Sequence, residues 1–206
     1  MLVSGWYNLT GSIASVESNE SNNLEQLAST TAGRIDQLIS DTRHLVSYFA
    51  WSEEAISVAG SPSARNRVRA QDKMNRILAS NEDIELMMIL SKNGLVAAST
   101  KPEYIGRNLA FRDYFKQAVL GHEYISDMEV GTASGKAGVY FSGVVRSPVG
   151  NVAGVVVLKM KGRSITAIAR AQGTERNIFL VDANGIVIHH SDPRLLLREG
   201  LEAQAS

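Results

Sequence analysis

No cysteine occurs among the 206 residues. Thiol chemistry, cysteine-based zinc sites and disulfides are therefore excluded, while the redox compartment stays open. There is no surplus of charge of either sign, because 21 Lys and Arg balance 21 Asp and Glu. That balance argues against a nucleic-acid partner, which usually draws on a basic surplus. No apolar run reaches the roughly 18 residues that span a bilayer. Phosphate loop, nucleophile elbow and dinucleotide fingerprint are all missing. The four histidines, His44, His122, His189 and His190, have neither the i, i+4 partner nor the nearby carboxylate of a metal motif. No catalytic residue, metal ligand or cofactor is implied, and nothing in the sequence supports an enzyme.

What is present suits a globular chain with a real core. Apolar residues make up 44% of the sequence, and the length allows one or two domains. The start, Met1-Leu2-Val3-Ser4-Gly5-Trp6-Tyr7, is apolar with an aromatic pair. It reads either as the outer end of a truncated transmembrane helix or as a frayed terminus. From Leu24 a stripe runs through Leu27, Thr31, Ile35, Leu38, Thr42, Leu45 and Phe49. Its spacing of three and four predicts one long helix to about residue 58, with a seam packed on the following domain or shared with a second copy. Ala59-Gly60-Ser61-Pro62 breaks it, and Ser61 and Pro62 are expected to cap and start the next helix, to about Ser80. The basic side chains of that helix (Arg65, Arg67, Arg69, Lys73, Arg76) read as a solvated face.

The period then changes to that of a sheet. Ile84–Leu90 and Leu95–Ser99 flank Asn93-Gly94, a strong hairpin signal. Asn108 is expected to cap a helix that ends near Gly121. Tyr124–Val130, Val139–Arg146 and Val152–Met160 read as strands, the last two joined by Ser147-Pro148-Val149-Gly150-Asn151. These elements predict an α+β fold with an antiparallel five-stranded sheet flanked by helices. Arg163–Ala171 reads as a helical connector. Phe179–Val187 then repeats the pattern of Met88–Val96, as the start of a second, incomplete or reduced module. The expected organisation is 1–80 helical, 81–162 the sheet with its helix, and 163–206 connector plus partial second module.

One group of side chains is suited to an anion. Arg112 offers a planar five-donor fork, with Tyr114 two residues on. Lys159 ends the apolar run Val155-Val156-Val157-Leu158, where a lysine must snorkel, pair or face a cavity. Thr132, Ser134, Tyr140 and Ser142 add hydroxyls, and Tyr140 and Ser142 share a sheet face. The competing reading makes Arg112 and Lys159 surface charges or partners of Asp113 and Glu123.

Three blocks carry a likeness. Ile105-Gly106-Arg107-Asn108-Leu109-Ala110-Phe111-Arg112-Asp113-Tyr114-Phe115, then Gly131-Thr132-Ala133-Ser134-Gly135, then Gly154-Val155-Val156-Val157-Leu158-Lys159 resemble double-Cache (PAS-like) extracytoplasmic sensor domains of bacterial receptors. The likeness runs to those of C4-dicarboxylate sensor histidine kinases. The chain departs from them at Lys136-Ala137, where an apolar residue and proline are often found. It departs from the amino-acid branch at Tyr114-Phe115, where Trp-Tyr is typical. The resemblance implies a periplasmic sensing domain of a membrane-anchored receptor that binds a small carboxylate and pairs through its N-terminal helix. Arg112, Tyr114, Thr132, Ser142 and Lys159 would hold the ligand, with Ser134 and Tyr140 as further candidates. Closure of the 131–138 loop over Arg112 and Lys159 would then shift the helices. The alternatives are a structural dimerisation module with an empty pocket, or the amino-acid-binding domain of a chemoreceptor or cyclase.

Overall fold

The computed structural model describes residues 3–130, 136–170, 180–181 and 187–189, with side chains described over 21–129 and 136–170. Helix α1 runs over Val3–Ala50, about 72 Å at 1.5 Å per residue. The seam behaves differently at its two ends. Leu24 is exposed, whereas Thr42, Val46, Phe49 and Ala50 are buried against the sheet. The buried Thr42 hydroxyl donates back to the Leu38 carbonyl, which satisfies it within the helix.

The expected helix to residue 58 is in fact two. Trp51 and Ser52 interrupt it, and α2 spans Glu53–Gly60. Ser52 accepts from the Ala55 amide and two glutamates occupy the first turn, so a hydroxyl cap and acidic residues at the helix N-terminus outcompete continuation. Helix α3 spans Ala64–Ser80 with Ser63 as its cap. The start expected at Ser61-Pro62 therefore lies two residues later, because Ser61 closes α2. The basic face of α3 meets α2: Lys73 lies 2.7 Å from Glu54 and Arg69 3.6 Å from Glu53.

The sheet is antiparallel in the order β2-β1-β6-β5-β3. Its strands are β1 (Ile84–Ser91), β2 (Val96–Ser99), β3 (Tyr124–Ile125), β4 (Glu129–Val130), β5 (Ala137–Arg146) and β6 (Val152–Lys161). The single strand expected over 124–130 is two short ones, β3 and β4, paired at different places along β5. Between them Ser126 donates its amide to the Tyr140 carbonyl, and its hydroxyl accepts from the Tyr140 amide. Gly94 takes a left-handed φ of 80°, as the Asn-Gly hairpin requires.

Two apolar layers sandwich this sheet. On one face α1, α2 and α3 cover Ile84, Met87, Ile89, Phe141, Val156 and Leu158. On the other, Leu86, Met88, Tyr140, Val155 and Val157 pack under Tyr104, Leu109, Tyr114 and Phe115. This second cover comes from a 3-10 turn at Pro102–Tyr104 and from α4 (Asp113–Val119). Asn108 does not cap α4. It pairs with Leu95 beside the hairpin, and its side chain accepts from the Ala110 amide, so the helix begins only after Arg112. Past β6 lies α5 (Gly162–Arg170), where a helix is expected over Arg163–Ala171. Strands β7 (Leu180–Val181) and β8 (Val187–His189) pair antiparallel, as the repeated hairpin pattern predicts. Among the described residues no helix is long and apolar enough to cross a membrane.

Candidate functional site

The candidate site lies on the α4 face of the sheet, away from α1. Strand alternation puts Tyr140 and Lys159 there as direct cross-strand partners in β5 and β6. Lys159 is 1% exposed. Its ammonium lies 3.0 Å from Glu85, donates to the Lys136 carbonyl at 2.8 Å and stands 5.6 Å from the Tyr140 ring centre. Gly138 makes room for its stem, since a Cβ there would sit 2.6 Å from Lys159 Cε.

Glu85 is the residue that sequence reasoning missed. The pairing of β1 with β6 slips between Ile84 and Leu86, so these two residues enter opposite apolar layers. The bulge frees Glu85 from the alternation, and its carboxylate meets both Lys159 and, at 2.9 Å, Lys101. Burial pushes the Glu85 carboxyl up, but the ammonium groups of Lys101 and Lys159 outweigh it, and the group sits below the usual carboxylate range. The two carboxylates that the surface reading pairs with Arg112 and Lys159 have other contacts. Asp113 pairs with Lys116, and Glu123 meets Arg43 and the Ser47 hydroxyl.

Two tyrosines form the wall. The rings of Tyr114 and Tyr140 stack with centroids 5.3 Å apart. Burial pushes the Tyr140 hydroxyl up to about 12, helped by Tyr104 and opposed by Arg112. The Tyr114 hydroxyl moves the same way, again through burial and against Arg112. Both phenols therefore stay protonated donors at neutral pH. Glu129 pushes in the same direction on both, another charge near this wall that the sequence pattern did not single out. Arg112 sits at the mouth of α4, its guanidinium 5.3 Å from the Phe111 ring centre. Ser142 is buried, and its hydroxyl donates to the Tyr114 carbonyl at 2.7 Å. Of the seven sequence-predicted residues, Tyr114, Tyr140, Ser142 and Lys159 thus lie on one face, with Arg112 acting electrostatically on both tyrosines. Thr132 and Ser134 lie outside the described residues.

A long helix behind an antiparallel sheet, with a short helix on its other face, matches a known architecture. The model of the Cache domain family matches residues 12–204. The chain belongs to the Cache domain family. The likeness expected over roughly residues 20–195, most specific in 104–159, is met by this match. The C4-dicarboxylate transport sensor protein DctB of Rhizobium meliloti (strain 1021) is 33% identical over 129 residues, covering 59% of this chain and 20% of that protein. The Cache fold recurs in the sensor domain of the V. cholerae histidine kinase DctB, with a TM-score of 0.73 and 19% identity over 85% of this chain and 68% of that one. It recurs also in the ligand-binding domain of the Pseudomonas aeruginosa amino acid chemoreceptor PctC in complex with GABA, with a TM-score of 0.69 and 22% identity over 90% and 82% of the two chains.

Proposed function

We propose that this Cache chain is the extracytoplasmic sensing region of a membrane-anchored bacterial receptor and that it binds a small carboxylate. The observation that carries this reading is the buried Lys159 ammonium beneath the Tyr114–Tyr140 stack, on the sheet face opposite α1. Arg112 would clamp the carboxylate, Lys159 would complement a second anionic or polar end, and the tyrosine hydroxyls would donate. Thr132 and Ser134 would add donors, and Ser142 would act by fixing Tyr114. The ligand-binding unit would be 81–162, with 1–80 as its helical support and 163–206 as the connector and second module.

Ligand would act through differential affinity for two arrangements of the helices. The Glu123 contacts with Ser47 and Arg43 join the segment after α4 to α1, which gives such a change a route. The exposed N-terminal part of the α1 seam, at Leu24, is where a second copy would pair. Lys159 is paired inward with Glu85 rather than outward, which favours a working site over an empty dimerisation module.

A thermal-shift screen against small mono- and dicarboxylates and amino acids, with Arg112→Ala alongside, tests this. A ligand at about 100 times its Kd adds roughly 2.7 kcal/mol. The reading predicts a clear shift that Arg112→Ala abolishes. No shift with any of these compounds would sink it.

A further inference from the structure

A lysine with almost no exposure in the middle of a sheet face needs something to hold it. In this chain the carboxylate that does so arrives by a backbone irregularity rather than by strand alternation. Ile84 aligns with Met160 and Leu86 with Lys159, with one residue displaced between them. That residue is Glu85, and its two oxygens are divided between lysines: Oε2 lies 3.0 Å from Lys159 and Oε1 2.9 Å from Lys101. Lys101 leads into the Pro102–Tyr104 turn, and Tyr104 packs into the same apolar layer as Tyr114 and Tyr140. One carboxylate thus ties the wall at β6 to the wall at residues 101–104.

We propose that Glu85 is the positioning residue of the site: its bulge-turned carboxylate holds the Lys159 ammonium against the Tyr140 ring and thereby sets the affinity for an anionic ligand. The affinity half of this rests on the carboxylate reading above. Removing the carboxylate deprives a buried ammonium of an ion-pair partner 3.0 Å away, so Lys159 is expected to shift from the Lys136 carbonyl. A ligand then meets a site whose cation is misplaced.

Crystal structures and succinate and acetate titrations of the wild-type chain, Glu85→Gln, Lys159→Met and the double variant test this. In Glu85→Gln, Lys159 Nζ is expected to leave the Lys136 carbonyl, and Kd to rise roughly tenfold or more, as for other buried charge pairs cut on one side. Lys159→Met should weaken binding on its own, and adding Glu85→Gln to it should change little, because Glu85 acts through Lys159. A Lys159 that stays in place in Glu85→Gln, an unchanged or tighter Kd, or losses that simply add would overturn the proposal. Should Glu85→Gln fail to fold, Glu85→Asp, one methylene shorter, is read by the same two measures. A wild-type chain that binds neither anion would count against the carboxylate reading, and the position of Lys159 in the variant would then decide the positioning role by itself.

Discussion

Ser142 in β5 donates a 2.7 Å hydrogen bond to the backbone carbonyl of Tyr114 in the first turn of α4. Both residues are buried, so the bond pins the helix that carries the aromatic wall to the strand that carries its stacking partner, Tyr140. Ser142→Ala removes the donor without creating a large cavity. A net loss of about 1 kcal/mol is expected, measured as a lower urea midpoint at unchanged slope. Any loss of ligand affinity in this variant should be smaller than in Arg112→Ala, since Ser142 acts through Tyr114.

Gly138 should not tolerate a side chain. A Cβ there would lie 2.4 Å from the Met160 carbonyl and 2.6 Å from Lys159 Cε. Gly138→Ala is expected to cost about 1–3 kcal/mol, in the range of overpacked cores. Because the obstacle includes backbone, the lysine cannot relieve it by moving alone. Thermal unfolding of the variant checks this.

Acid should weaken the fold through Glu85 and Glu54. Both carboxyls sit below their ordinary value of 4.5 when folded. For Glu54 the hydrogen bond from Lys73 is the leading cause. For Glu85 the two lysine ammonium groups overcome burial. A group depressed on folding stabilises above its unfolded value, and that contribution is lost as pH falls through the folded one. Urea unfolding between about pH 6 and pH 3 should therefore show a decline beginning near pH 4.5. In Glu85→Gln the decline should be shallower.

Ser52 ends one helix arrangement and starts another. Its hydroxyl accepts from the Ala55 amide at 3.3 Å, at the first turn of α2. Ser52→Ala should cost about 0.5–2 kcal/mol, the usual price of a lost cap. Chemical denaturation reads it directly.

The residues that were legible in advance are those where local chemistry and the fold agree. The Asn93-Gly94 hairpin, the β5–β6 pair and the far-face placement of Tyr140 and Ser142 follow from turn preferences and period-two alternation. Lys159 stood out because an ammonium in an apolar strand demands a reason. Glu85 did not, because alternation puts it on the side of Met87 and Ile89, in the layer under α1–α3. Only the slip in pairing against β6 moves it to the other face, and nothing in Ile84-Glu85-Leu86 marks a bulge. The break at Trp51-Ser52 was hidden for a similar reason: the apolar rhythm runs on past it, and no glycine or proline interrupts. Asn108 misled in the opposite sense, since its capping chemistry is used in a turn beside Gly94 rather than at α4.

The most direct measurement is a crystal structure of the chain grown with the compound that gives the largest thermal shift, or with succinate if several tie. The account predicts a carboxylate on the α4 face, within hydrogen-bond reach of Arg112 and of at least one of Tyr114, Tyr140 and Lys159. Ligand density elsewhere, or a carboxylate that touches none of these side chains, would contradict it.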